Sequence, residues 1–256
     1  MRALQTAKGR SASGLFIAEG VRLLEEALRF QRQPEFLCYA PSVISERAQA
    51  LLDRFRRARV ILHELSAADL GRLTGVETSQ GMLGVFRIPE RRLSQLWRPA
   101  LRNILLCENL ADPGNVGTLW RSALAFGFEL MILTGSSADP YAPKTVRSSV
   151  GAVFGLPVAE ADLDDVTAAF KDTETRVLAT TPRGAADMAV ALKKSVDKPV
   201  LLMVGSEAEG LSEGLLASAH ERIRVEHRPD VESLNSAVAG SILMKECFDF
   251  RERRKS

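Results

Sequence analysis

Cysteine is scarce in this chain: there are three, Cys38, Cys107 and Cys247, and no two of them stand at the C-x-x-C spacing. An odd count without that spacing argues against a disulfide framework and against a zinc site. Cys107 falls in an apolar run, where a buried free thiol is the expected state. Histidine is equally sparse. His63 falls in an expected strand and His220 at an expected helix end, so both read as structural. No stretch reaches about 18 continuous apolar residues, so no membrane-spanning helix is expected. The N-terminus lacks the apolar core of a secretory signal, which points to the cytoplasm. Also missing are G-x-x-x-x-G-K-[ST], G-x-G-x-x-G after a strand, H-E-x-x-H and G-x-S-x-G. Their absence removes support for metal, hydride and acyl-transfer chemistry.

What is present is an ordinary globular composition. Of 256 residues, 46% are hydrophobic and 26% charged, enough for a core without a covalent staple. The net charge of +2 is unevenly spread. Residues 1–97 carry 15 Lys and Arg against 10 Asp and Glu, and the remainder 19 against 22. Two arginine clusters stand out, one at Arg54, Arg56, Arg57 and Arg59, the other at Arg87, Arg91 and Arg92. Arginine-rich surfaces suit phosphate contacts, although a solvated helix face would look the same.

Periodicity divides the chain. Helical spacing covers Glu19–Phe30, Ser42–Arg59 (with Ser42 or Ser45 as cap) and Ser66–Leu73. Strands are expected at Phe36–Ala40, Val60–Leu65 and Met82–Ile88. A polar, basic, proline-containing stretch from about 89 to 102 then marks a boundary. The domains are accordingly expected at 1–97 and 98–256. The second begins with a buried-type strand, Asn103–Cys107, and continues with a helix near 115–127 and strands at 129–134, 176–180 and 199–204. Short apolar runs between helices predict an α/β fold with a parallel sheet covered on both faces. A closing helix runs from Asn235 to Arg253, with an apolar stripe of Val238, Ile242, Met244 and Phe248.

Three segments follow expected strands, where ligands gather in open α/β sheets. In the first, from Glu108 to Arg121, Asp112-Pro-Gly-Asn115 is a turn and Asn115 is expected to cap a helix. Arg121 then lies among Val116, Leu119, Ala123 and Leu124, where a guanidinium either finds a carboxylate or phosphate or snorkels to solvent. The second, Val204-Gly-Ser-Glu-Ala-Glu-Gly210, has the glycines of a phosphate loop but also two carboxylates, Glu207 and Glu209, that would repel a phosphate. It suits a cationic or hydroxyl-bearing ligand, or simply the helix dipole. In the third, Ser233 and Asn235 flank Leu234 at the mouth of the last helix, a position also common for plain capping.

Taken together, in this order, the segments resemble the signature motifs of the SpoU (TrmH-type) RNA 2′-O-ribose methyltransferases of the SPOUT superfamily. N-x-G-x-x-x-R is matched by Asn115, Gly117 and Arg121, G-x-E-x-x-G by Gly205, Glu207 and Gly210, and S-L-N by Ser233, Leu234 and Asn235. The N-terminal part is similar to the family's substrate-binding domain through Gly14-Leu-Phe-Ile-Ala-Glu-Gly20 and Thr74 to Phe86, including Thr78-Ser-Gln-Gly81. Where the family usually has Ile-Pro-Met, this chain has Val225-Glu226-His227, and Ser236-Ala237 stands for the common Val-Ser.

The resemblance implies a deep trefoil knot in the C-terminal domain, a smaller α/β RNA-binding domain before it, and a homodimer. It implies S-adenosylmethionine as cofactor, lying against Gly205, Gly210, Val225 and Leu234 with Thr180 nearby, and no metal. Arg121, Asn115, Glu207, Ser233 and Asn235 are the expected catalytic set. Arg121 is a poor base, since its pKa exceeds about 12. It suits a phosphate clamp better, and His227 is a second candidate base. Ribosomal RNA is the expected substrate. Transfer RNA, or a non-catalytic RNA-binding role, are the alternatives.

Overall fold

The computed structural model describes residues 1–74, 80–171, 173–181, 186–228 and 230–254; Thr78 and Ser79 lie outside them. In chain order, a 3-10 turn (Arg2–Gln5) leads to α1 (Ala7–Ser13), β1 (Leu15–Glu19), α2 (Val21–Arg29), β2 (Phe36–Tyr39), α3 (Glu46–Arg57), β3 (Ile61–Glu64), α4 (Ala67–Thr74) and β4 (Met82–Arg87). Next come α5 (Leu93–Leu96), β5 (Asn103–Glu108), α6 (Pro113–Ala125), β6 (Leu130–Thr134), α7 (Pro143–Ser148), α8 (Ala152–Gly155), β7 (Val158–Glu160) and α9 (Leu163–Phe170). The chain closes with β8 (Arg176–Thr180), β9 (Ala186–Asp187), α10 (Met188–Lys193), β10 (Val200–Val204), α11 (Glu213–Ser218), β11 (Glu221–Arg224) and α12 (Ser236–Glu252).

Two compact units emerge: Met1–Pro89 with Asp139–Gly155, and Glu90–Ala138 with Leu156–Ser256. This division differs from a boundary near 97/98 in two places. Glu90–Trp97 joins the second unit, where Leu93 is buried and Trp97 packs on Phe170 at 4.6 Å. Asp139–Gly155 joins the first, where its aromatic side chains complete a core.

The first unit is a four-stranded sheet in the order β1-β4-β2-β3, with β4 antiparallel to β1 and β2, and β3 parallel to β2. Alternation sends Ile17, opposite Val85, to one face, where Leu4, Cys38, Leu70 and Leu83 form a core. Phe16, opposite Phe86, points to the other face, where Tyr141 and Phe154 meet these rings at 5.0 and 4.8 Å. The helix expected from Glu19 begins at Val21, because Glu19 closes β1 and Gly20 turns the chain at φ 99°, a conformation natural to glycine. Of the two serines considered for α3, Ser45 is the cap and accepts from Ala48 N at 3.2 Å.

The second unit is a seven-stranded sheet in the order β7-β6-β5-β10-β8-β11-β9, every pair parallel. Every residue of β5, β6 and β10 is buried, which explains their unbroken apolar runs. Each fully buried Leu or Ile contributes about 1.5–3 kcal/mol. The chain builds outward from β5 to β6 and β7, then resumes on the other side of β5. That makes a switch point between β5 and β10, the crevice where ligands collect in such sheets.

Two helix readings are corrected. α6 is capped by Asp112, whose carboxylate accepts from Asn115 N at 3.1 Å, and not by Asn115; Pro113 fills the first turn. The side chain of Asn115 is therefore free for other work. On α12 the buried face is Ala237, Gly240, Leu243, Met244 and Cys247, while Val238 and Ile242 of the expected stripe are 48% and 37% exposed. Gly240 lets α12 press closely on its neighbours: a Cβ there would stand 2.6 Å from Leu119.

Candidate active site

The loop after β10 closes on itself. Ser206 N donates to Gly210 O at 3.2 Å and Gly210 N to Ser206 O at 3.0 Å, while Glu209 N donates to Ser206 Oγ at 3.2 Å. Gly205 is buried in this closure. A Cβ on it would lie 2.2 Å from the carbonyl carbon of Gly210, so no larger residue fits without moving backbone. Gly210 itself sits at φ 71°. Glu108, given no role from sequence, ends β5 as a buried carboxylate and accepts from Ser212 N at 2.6 Å, bracing the far side of the loop. Its only sequence signal is a charge at the end of an apolar strand.

Three of the expected catalytic residues converge. Asn115 Nδ2 donates to Glu207 Oε1 at 3.1 Å, Asn235 Nδ2 donates to the same oxygen, and Asn235 Nδ2 also reaches Asn115 Oδ1 at 3.2 Å. Ser236 N is a third donor to Glu207 Oε1, at 3.3 Å. Asn235 caps α12 as well, its Oδ1 accepting from Ala237 N and Val238 N at 3.0 and 3.1 Å. One carboxylate thus locks the start of α6, the β10 loop and the start of α12 together. Ser233 and Arg121 stand outside this cluster. Both are exposed, and neither has a hydrogen-bond or ion-pair partner among the described residues. Arg121 extends to solvent from a helix whose other face buries Val116, Leu119, Trp120 and Ala123.

Beside the cluster lies a cavity of ≈ 240 Å³ at the C-terminal ends of β8, β10 and β11. Thr180, Gly205, Gly210, Val225 and Leu234, the expected cofactor residues, all line it, as do Glu207 and Ser233. Sequence reasoning missed Thr181, Arg224, Ser236, Ala239 and Leu243, which also face it. Their signal is their place beside strand ends and at the first turns of α12, legible once the sheet order is known. His227 stands at the edge with Nδ1 2.9 Å from Val225 O. A carbonyl only accepts, so Nδ1 is the donor in this contact. His220, expected to be structural, accepts from Val177 N at 3.1 Å through Nδ1.

The arginine clusters separate. Arg87, Arg91 and Arg92 are held by Glu35, Glu160 and Glu90 at 2.8–2.9 Å. On α3, Asp53 engages Arg56 and, through its carbonyl, Arg57, whereas exposed Arg54 has no ion-pair partner among the described residues. Among the described residues no group of His, Cys, Asp and Glu is arranged to hold a metal ion, and no helix is long and apolar enough to cross a membrane.

A parallel α/β domain with a glycine-walled cavity and an Asn–Glu–Asn lock at its switch point, joined to a small mixed-sheet unit, defines a class of nucleotide-cofactor enzyme. Comparison with known proteins names that class. Residues 102–245 match the SpoU rRNA Methylase family, and residues 1–84 match an MRM3-like substrate binding domain. The chain belongs to the SpoU rRNA Methylase family. It is 30% identical, over 96% of its length and 88% of the relative's, to an uncharacterized tRNA/rRNA methyltransferase of Synechocystis. It is 29% identical, over 94% of its length and 91% of the relative's, to the Bacillus subtilis 23S rRNA (guanosine(2553)-2′-O)-methyltransferase RlmP. Among solved structures it is similar to the SpoU methyltransferase AviRb of Streptomyces viridochromogenes with AdoMet bound: TM-score 0.84, 27% identity, 98% of this chain and 96% of that one.

Proposed function

We propose that this protein methylates a ribose 2′-hydroxyl of ribosomal RNA with S-adenosylmethionine. The observation that carries the reading is the Glu207 lock beside the strand-end cavity, made by residues of all three motifs in one place. The cavity fits the cofactor. Val204, Val225, Leu234 and Leu243 offer apolar walls for adenosine, and the Ser236 hydroxyl, buried without a partner among the described residues, is an orphaned group of the kind a ligand satisfies. Backbone at Gly205, Gly210, Val225 and Leu234, with Thr180 close by, would hold the cofactor. When bound, it supplies a methyl group made electrophilic by its sulfonium.

The chain's own groups then orient the acceptor. Glu207 fixes the amides of Asn115 and Asn235, and these present a rigid polar edge to the ribose. Arg121, with no side-chain partner among the described residues, takes the phosphate beside the target ribose and offsets the negative charge that develops on the 2′-oxygen. The hydroxyl proton passes to that RNA phosphate and from there to solvent. Ser233 sits at the cavity mouth to meet the same nucleotide. His227 lines the cavity, but its ring is engaged by its own segment, at Val225 O, and not by the Asn–Glu–Asn lock, so it is given no part in proton removal.

The first unit captures RNA through the α3 arginines. The exposed Val238 and Ile242 of α12 form the contact of a homodimer, and the insertion of β10 between β5 and β8 belongs to a trefoil knot. The proposed compartment is the cytoplasm. Arg121→Ala should lower single-turnover methyl transfer to ribosomal RNA by roughly 100-fold or more, with S-adenosylmethionine affinity by titration calorimetry held within about twofold. Near wild-type transfer would remove Arg121 from the mechanism.

A further inference from the structure

The segment Asp139–Gly155 leaves the parallel-sheet unit after β6 and returns to it before β7, yet it packs as part of the first unit. Arg10, only 4% exposed, pins it there. Its Nε and Nη2 donate to Asp139 Oδ2 at 2.9 and 2.5 Å, and its Nη1 to Leu4 O at 2.9 Å. The rings of Tyr141 and Phe154 complete the face around Phe16. Gly151 and Gly155 pack so closely that a Cβ would stand 2.5 Å from Glu26 and 2.4 Å from the Phe30 ring. Separating a buried guanidinium from its carboxylate is costly. The segment therefore moves with the first unit and does not swing as a loop.

Both junctions of this segment are tied to α6. At the exit, Ala138 N donates to Leu110 O at 2.8 Å and Leu110 N to Ser137 Oγ at 3.2 Å. Leu110 stands just before Asp112, the cap of α6. At the return, the Leu156 carbonyl accepts from Trp120 Nε1 at 3.0 Å. Trp120 is wholly buried and adjoins Arg121 on the same helix. The helix that carries Asn115 and Arg121 is thus held at its start and at its middle by the residues where the chain departs and comes back.

We infer that Asp139–Gly155 is a positioning strap: RNA engagement by the first unit reaches Asn115 and Arg121 through the Leu110 and Leu156 ties. Arg10, Asp139 and Trp120 are its positioning residues. The strap rests on the RNA-methylation reading, and its test is built to fail separately from it.

The first measurement is hydrogen–deuterium exchange on the full chain without RNA. Asp139→Asn, which leaves Arg10 a neutral acceptor, should raise exchange in 139–155 and in α6 together while β10 stays protected. A rise confined to 139–155 would overturn the strap. The second variant, Trp120→Phe, keeps a buried aromatic ring, removes the indole N–H that donates to Leu156 O and leaves a small cavity, so urea unfolding is measured beside it to separate lost stability from lost positioning. This variant should lower kcat on an in vitro ribosomal RNA transcript about fivefold, with KM for the transcript and calorimetric affinity for S-adenosylmethionine within about twofold. Unchanged kcat would also overturn it. Wild-type protein that never methylates the transcript would sink the RNA reading and leave the exchange result standing.

Discussion

Glu207 accepts on a single oxygen from Asn115, Asn235 and the Ser236 amide, and at the residue scale this concentration is what sets the site apart from a capped helix end. Arg121 is the opposite case: it is exposed and its side chain has no partner among the described residues, which is what the proposed phosphate contact requires. His220 shows a third use of a polar side chain. Burial first, then Arg176 and Lys198, hold its imidazole below the ordinary range, with Glu221 pulling the other way. The native state therefore binds fewer protons than the unfolded chain. Its stabilising contribution is present above the unfolded value of 6.5 and is lost as pH falls through the native one. Thermal scans from about pH 7 to 5 should show Tm falling, and His220→Asn, which keeps an acceptor for Val177 N, should flatten that dependence.

At the scale of elements, α12 depends on Asn235 twice, as cap and as part of the lock. Asn235→Ala should cost about 1 kcal/mol in urea unfolding, the ordinary effect of removing a cap, and should weaken methyl transfer far beyond that stability change. For α3, replacing Arg54 and Arg57 by Ala should reduce the salt slope of ribosomal RNA binding by about 1 for each phosphate no longer neutralised, leaving cofactor affinity untouched.

The central strands of the second unit could be read from sequence because β5, β6 and β10 are buried on both faces and so carry apolar runs, with polar residues only at the ends of β5 and β6. β11 could not: Glu221-Arg-Ile-Arg224 buries Ile223 alone and reads as a polar loop. β1 is hidden for a different reason: Leu15–Glu19 is apolar and buried at its centre, but it runs directly into the helical spacing that follows it. The cavity residues named from motifs all line the cavity, whereas Ser236 and Leu243 became visible only when the order of the strands put α12 beside β10. The assignment of Asp139–Gly155 to the first unit had no local signature, since which core a short helix completes is decided by distant partners such as Arg10 and Phe16.

For the whole molecule, the exposed Val238 and Ile242 test the assembly. On the proposed homodimer, Ile242→Asp should convert a wild-type dimer to a monomer by light scattering after size exclusion, because a charge in an apolar interface would be left unpaired. A species of unchanged mass would place the dimer interface elsewhere or remove it. The three scarce cysteines offer a different kind of handle. All are free and buried, and burial raises each thiol, Cys247 to about 12. A thiol held protonated and out of solvent reacts with an alkylating reagent only when its surroundings open. Cys38 belongs to the first unit, and Cys107 and Cys247 to the second. Timed alkylation read by mass would thus clock the opening of each unit separately in the unmodified protein, and would tell whether the two units unfold in one step or in sequence.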